Sequence, residues 1–124
     1  MKTIIAGSRT IHFETTIEFL REVRFLTEIT EVVSGTARGV DSHGEWFANR
    51  YEIPIKRFPA DWDNYGKRAG YLRNQEMCDY AEQLICIWDG ESRGTKHMIT
   101  IAKKKGIPIY LLETNTKPKE GFFF

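Results

Sequence analysis

Apolar residues along the chain fall into short unbroken runs, separated by segments in which they recur every third or fourth position. An unbroken run reads as a strand buried on both faces, and recurrence in threes and fours as a helix laying one face on a sheet. Thr3-Ile4-Ile5-Ala6 is the first run, and it stops at Gly7. Phe13, Ile17, Leu20, Val23 and Leu26 then keep helical spacing, with Glu14, Glu18 and Glu22 between them, which predicts a helix over Phe13 to Leu26. Thr30 to Ser34 returns as a strand, and a helical pattern follows from Gly39 or Val40 to Tyr51. Ile53 to Phe58 is a third strand, with Pro54 at its entrance where no ladder donor is lost.

Pro59 to Gly70 is polar, carries Trp62 and Tyr65, and is too long for a simple connector, which marks it as a functional loop. A helix over Gly70 to Tyr80 follows, and Ala69, Arg73, Met77 and Ala81 at steps of four put Arg73 on its inward face. Gln83 to Asp89 is a fourth strand. Thr95 to Lys105 is a helix with Met98, Ile101 and Ala102 inward and Lys103-Lys104-Lys105 at its end, where cations suit the helix dipole. Gly106 stops that helix, and Pro108 to Leu112 is the fifth strand.

Strands alternating with helices predict an α/β protein: a Rossmann-like three-layer sandwich, its five-stranded sheet mainly parallel, with helices on both faces. Residues 1 to 114 are expected to form one domain and 115 to 124 a tail, whose Phe122-Phe123-Phe124 must pack, bury in a partner or stay exposed. Right-handed crossovers bring every strand-to-helix turn to one sheet edge. There Gly7-Ser8-Arg9, Ser34 to Asp41, the Pro59 to Gly70 loop and Trp88 to Thr95 are expected to meet.

Charge narrows the partners. Eighteen basic and 17 acidic residues leave a net charge of +1, which offers no general attraction to nucleic acid or an anionic membrane. The start of the chain lacks a signal-peptide pattern, and no run approaches the roughly 20 residues of a membrane span, so a cytoplasmic protein is expected. Cys78 and Cys86 have no metal-type spacing and fall in a predicted helix and a buried strand, which reads as reduced thiols.

Several chemistries are disfavoured outright. Gly-x-Gly-x-x-Gly is absent, and Gly94-Thr95-Lys96 lacks the spacing and order of a Walker motif. Asp41, His43 and Glu45 lie two apart, which points them to different helix faces, so no metal site is expected and no cofactor is called for. His12, His43 and His97 read as solvated surface histidines. What remains is two glycine corners, each with a hydroxyl and an arginine: Ser34, Gly35, Ala37, Arg38 and Gly39 in the first, Ser92, Gly94 and Thr95 in the second. Backbone N–H groups, hydroxyls and guanidinium groups converging on one edge suit an anion such as a phosphate. Arg9 and Arg73 read either as surface charges or as ligand contacts, and Asp41 either as a helix cap or as a ligand group. Trp62, Tyr65 and Trp88 read as core or lid aromatics, or as stacking partners for a base.

Taken jointly, Ala6-Gly7-Ser8-Arg9, Ser34 to Asp41, Pro59-Ala60-Asp61-Trp62, Gly66-Lys67, Ala69-Gly70, Arg73-Asn74 and Ser92-Arg93-Gly94-Thr95 resemble the YspA / cpYpsA-related branch of the SLOG superfamily. The resemblance covers the chain to about Leu112 and implies a Rossmann-like domain that binds nucleotides or nucleotide-derived ligands. Two relatives sharpen it. Arg73-Asn74-Gln75-Glu76-Met77 is similar to the arginine helix of the cytokinin-activating phosphoribohydrolases, which puts their catalytic arginine on Arg73. Gly94-Thr95 matches their Gly-Thr, but Gly90, Glu91 and Ser92 replace Pro-Gly-Gly, and Met98 stands where their catalytic glutamate belongs. A thioether does no proton transfer, so N-glycosidase activity is disfavoured, although Glu91, Asp89 or Asp41 could supply a carboxylate from another direction. Ser34 to Asp41 also resembles the Ser-Gly-x-Ala-x-Gly-x-Asp stretch of the DNA-processing protein of natural transformation, which binds single-stranded DNA.

The expectation is therefore a binder of a nucleotide or nucleotide-derived ligand, ADP-ribose-like or a nucleoside monophosphate, acting as sensor, carrier or sequestering module. Gly7, Ser8, Arg9, Ser34 to Gly39, Ser92, Gly94 and Thr95 would hold phosphate and ribose, Arg73 and Asn74 would contact phosphate or sugar, and Trp62 or Trp88 would flank the base. A nucleoside-5'-monophosphate N-glycosidase is the alternative and single-stranded DNA binding the third reading. A homo-oligomer is expected because SLOG relatives often dimerise.

Overall fold

The computed structural model describes residues 1–114. The expectations for Asn115 to Phe124, the phenylalanine tail included, lie outside the described residues.

Five strands, β1 (Lys2–Gly7), β2 (Glu31–Ser34), β3 (Ile55–Arg57), β4 (Gln83–Trp88) and β5 (Ile109–Glu113), pair in the order β3-β2-β1-β4-β5, and every pairing is parallel. Helices α1 (Phe13–Val23) and α2 (Val40–Arg50) cover one face. The other carries α4 (Ala69–Tyr80) and α5 (Arg93–Lys105). The two sheet faces explain the unbroken apolar runs: in β1, Ile4 and Ala6 join Met77, Met98 and Ala102 on one side, while Ile5 joins Leu20, Val40 and Phe47 on the other. The strand order reverses direction between β1 and β4, so the turns after these two strands diverge and leave a crevice at the C-terminal edge.

The structure departs from the periodicity in places with identifiable causes. α1 ends at Val23 rather than Leu26, because the following amides fold back on nearer carbonyls: Phe25 N donates to Glu22 O at 3.2 Å and Leu26 N to Val23 O at 2.8 Å. Leu26 is consequently 69% exposed rather than inward. β3 is reduced to three residues at the sheet edge, although Val32 N still donates to Pro54 O and Phe58 N to Ser34 O. In α5, Ile99 is buried and Ile101 only half-buried, and the helix starts at Arg93, two residues early, capped by the Ser92 hydroxyl.

The expected Pro59 to Gly70 loop is mostly helical. α3 (Trp62–Tyr65) is capped by Asp61, whose Oδ1 accepts from Asn64 N at 3.2 Å, and a 3-10 turn over Gly66–Arg68 runs directly into α4. Short polar helices with no buried residue carry no apolar period, so periodicity is blind to them. Two of the three histidines are also less exposed than expected. His43 Nδ1 shares a 2.8 Å hydrogen bond with Thr16 Oγ1 and lies edge-on to Phe13, and His97 Nδ1 lies 3.2 Å from Asn74 Nδ2 and edge-on to Tyr71. No helix among the described residues is long and apolar enough to cross a membrane.

Candidate functional site

A cleft of about 460 Å³ opens in the crevice. Ala6, Gly7, Arg9 and Thr10 line it from the end of β1 and the turn that follows. Ala37 comes from the β2–α2 turn and Asp41 from the start of α2, and Asp89, Ser92, Gly94, Thr95 and Met98 from the β4–α5 corner. Trp62, Lys67, Gly70, Tyr71, Arg73, Asn74 and Met77 close it from α3 and α4.

Close packing of backbone makes this convergence possible. A Cβ on Gly7 would stand 2.1 Å from Ile87 O, so the β1 turn reaches β4 only with glycine there. Thr36 takes a left-handed backbone (φ 62°), rare for a β-branched residue, and so turns the chain from β2 towards α2. Ala37 N then donates to Asp41 Oδ2 at 3.2 Å.

Arg73 is held before any guest arrives. Its Nε donates to Asn74 Oδ1 at 3.1 Å and its Nη1 to Gly35 O. Asn74, itself buried, ties α4 to α5 by donating to Gly94 O at 3.1 Å. Burial lowers the pKa of the Arg73 guanidinium from its usual value; Asp41 opposes that shift and Arg9 adds to it. The group stays charged, since arginine does not lose its proton in proteins.

The two cleft carboxylates differ. Burial raises Asp41 from 3.8 to about 6, against the pull of the Ala37 amide, Arg73 and the Gly7 amide. Asp89 is also pushed up by burial, but hydrogen bonds outweigh that and hold it below the usual range: Ser92 N and Glu91 N each donate to its Oδ1 at 2.8 Å, and Thr10 Oγ1 to its Oδ2 at 3.3 Å. Asp89 is therefore occupied in shaping the turn before α5, while Asp41 keeps acceptor capacity.

Of the residues singled out from sequence, Gly7, Arg9, Ala37, Asp41, Trp62, Arg73, Asn74, Ser92, Gly94 and Thr95 line the cleft. Six do not. Ser8 is buried, and its Oγ accepts from Asp89 N at 3.0 Å, linking the two turns from behind. Ser34 Oγ donates to Glu45 Oε2 at 2.7 Å and accepts from Thr36 N at 3.1 Å, inside the β2 corner. Gly35 borders the site only through the carbonyl that Arg73 holds. Arg38 is exposed and does not line the cleft, and Gly39 (φ 76°) packs on the backbone of Ser8 and Arg9. Trp88 packs on the α4–α5 core and donates its indole N–H to Ser92 O at 3.0 Å, so it does not flank the cleft. Thr10 and Tyr71 were missed, and neither carries a sequence signal beyond its neighbours; Lys67 stood only within the quoted Gly-Lys pair.

The arrangement offers three cations, an α5 N-terminus and one half-free carboxylate around a concave space. No cluster of metal ligands occurs among the described residues.

No family model matches the chain. Among solved structures, the X-ray structure of DNA processing protein A (DprA) from Streptococcus pneumoniae superposes with a TM-score of 0.76 at 15% identity. The match covers 93% of this chain and 51% of that one, so the chain spans about half the length of DprA and shares its Rossmann-like fold. The Gene 61 protein of Mycobacterium phage D29 is 32% identical over 116 residues, covering 87% of this chain and 93% of that protein. At that identity and coverage, the chain belongs to the family of the phage D29 Gene 61 protein.

Proposed function

We propose that the cleft binds a nucleotide or nucleotide-derived ligand, as a member of the YspA / cpYpsA-related branch of SLOG proteins acting as sensor, carrier or sequestering module. The observation that carries this reading is the convergence of Arg9, Lys67 and the pre-positioned Arg73 on one cleft beside the N-terminus of α5. Cations and free helix-terminal amides both favour a phosphate, and a guanidinium already locked in place loses little further freedom on binding. Trp62, 52% exposed and lying over Gly70, is available to cover a base.

A second reading follows from the fold shared with a protein named for DNA processing. Trp62, Tyr65 and Tyr71 stand exposed beside Lys67 and Arg68, the mixture a single strand of DNA would use. The overall balance of charge argues against it.

Calorimetry against a panel of nucleoside monophosphates, diphosphates and ADP-ribose separates the two from oligonucleotides. Micromolar binding of at least one nucleotide, weakened roughly tenfold or more by Arg73→Ala, a loss typical of a charged hydrogen bond, and unaffected by Arg24→Ala, is the expected outcome. Uniform failure to bind, or equal effects of the two variants, contradicts it. Affinity confined to oligonucleotides and falling steeply with salt moves the assignment to DNA.

A further inference from the structure

The cleft carries both signs of charge. Its cations, Arg9, Lys67 and Arg73, line it together with the buried carboxylate of Asp41 from α2. Asp41 and Arg73 flank the same backbone atom: a Cβ on Gly35 would stand 2.8 Å from Asp41 Oδ2 and 2.9 Å from Arg73 Nη1. Even so, they do not close into an ion pair, and the pair within 4 Å among the described residues is Arg57 with Glu45. Arg73 is drawn off instead to Gly35 O and Asn74. Asp41 Oδ2 takes the Ala37 amide, the Gly7 amide also pulls on the carboxylate, and Asp41 lines the cleft.

A carboxylate of this kind accepts hydrogen bonds and repels phosphate oxygens. The group placed against it must therefore bring O–H or N–H donors, and the part of the guest placed against Arg73 must bring an anion. A pentose phosphate with vicinal hydroxyls has both within one small unit.

Resting on the nucleotide reading above, we propose that Asp41 reads the sugar: its carboxylate accepts from the ribose hydroxyls of a ribonucleoside 5'-phosphate whose phosphate lies on Arg73, so the site selects ribose over 2'-deoxyribose. Leaving a buried acceptor unpaired is the penalty that rejects the deoxy analogue, and such penalties discriminate more sharply than an added contact does.

The test is calorimetry on the full chain with the four ribonucleoside 5'-monophosphates, their 2'-deoxy counterparts, and the pair ribose 5-phosphate and 2-deoxyribose 5-phosphate. The wild-type chain is expected to bind the ribo member at least roughly tenfold more tightly in both the nucleotide and the sugar-phosphate sets, as one satisfied buried acceptor implies. Asp41→Ala is expected to bring the ratio to about one by weakening the ribo member, while Asp41→Asn, whose amide oxygen still accepts, keeps part of it. Equal binding of ribo and deoxy ligands by the wild-type chain overturns the proposal without needing any variant. So does a preference that survives in Asp41→Ala, or one present with nucleotides but absent with the sugar phosphates, which would put a base amine on Asp41 instead. If no nucleotide binds at all, the nucleotide reading falls and takes this one with it.

Discussion

At Asp41 desolvation outweighs three favourable interactions, which leaves a carboxyl in the first turn of α2 at about 6 rather than 3.8. A carboxyl raised on folding stabilises the protein fully below its unfolded value and loses that contribution as pH rises through its folded one. The shift corresponds to on the order of 3 kcal/mol between pH 4 and 7. Asp41→Asn, keeping an oxygen for the Ala37 amide, should flatten this dependence and leave the protein at least as stable as wild type at pH 8. Urea unfolding at pH 5 and pH 8 measures it, and an unchanged slope would refute the account. Asp89 works in the opposite sense: its lowered value adds stability that is lost only below about pH 4, a window separate from that of Asp41. Sequence could place both aspartates at a helix-start corner. It could not tell which one was consumed by its own turn, because that depends on the amides of Glu91 and Ser92 and on Thr10, nearly 80 residues away.

Among the elements, two helical glycines make a matched pair. Gly44 sits in α2 against β1, where a Cβ would lie 2.8 Å from Ile5 Cγ2 and 2.9 Å from Ile5 Cβ. Gly94, in the first turn of α5, has nothing within 4 Å of that position. Alanine gains up to about 1 kcal/mol over glycine in a helix, while overpacking a rigid core costs about 1 to 3 kcal/mol. Gly44→Ala should therefore destabilise the chain by about 1 to 2 kcal/mol, and Gly94→Ala should leave it unchanged or slightly more stable; chemical denaturation gives both signs. Legibility differs between elements for a related reason. Helices with a buried apolar face, α1 and α5, showed themselves by spacing, and so did the buried strands. α4 also showed itself, through Ala69, Arg73, Met77 and Ala81 at steps of four, and begins one residue before the predicted Gly70, whereas α3 and the 3-10 turn bury nothing, so their extent follows from capping and contacts rather than from any period.

For the molecule as a whole, a guest that binds only the folded state adds stability by mass action, about 2.7 kcal/mol at 100 times its dissociation constant. For a domain of this size that is a rise in Tm of roughly 10 °C. A bound ribonucleotide should produce that rise in a thermal melt, and Arg73→Ala should cut it to about half or less; an equal rise in the variant would separate Arg73 from the site. The alternation of apolar runs and helical spacing by itself determined a parallel α/β sheet with its turns gathered at one edge, because burial on two faces leaves no polar alternation in a strand. It also marked Arg73, since a charge at a step-of-four position must meet a partner. Which turn residues face a guest was settled only in three dimensions. Ser8, Ser34 and Trp88 share their corners with Gly7, Ala37 and Ser92, yet hydrogen bonds to Asp89, Glu45 and Ser92 O turn them inward. Whether a polar side chain in a turn serves the fold or the cleft depends on partners distant in sequence, and only the packed chain brings those partners together.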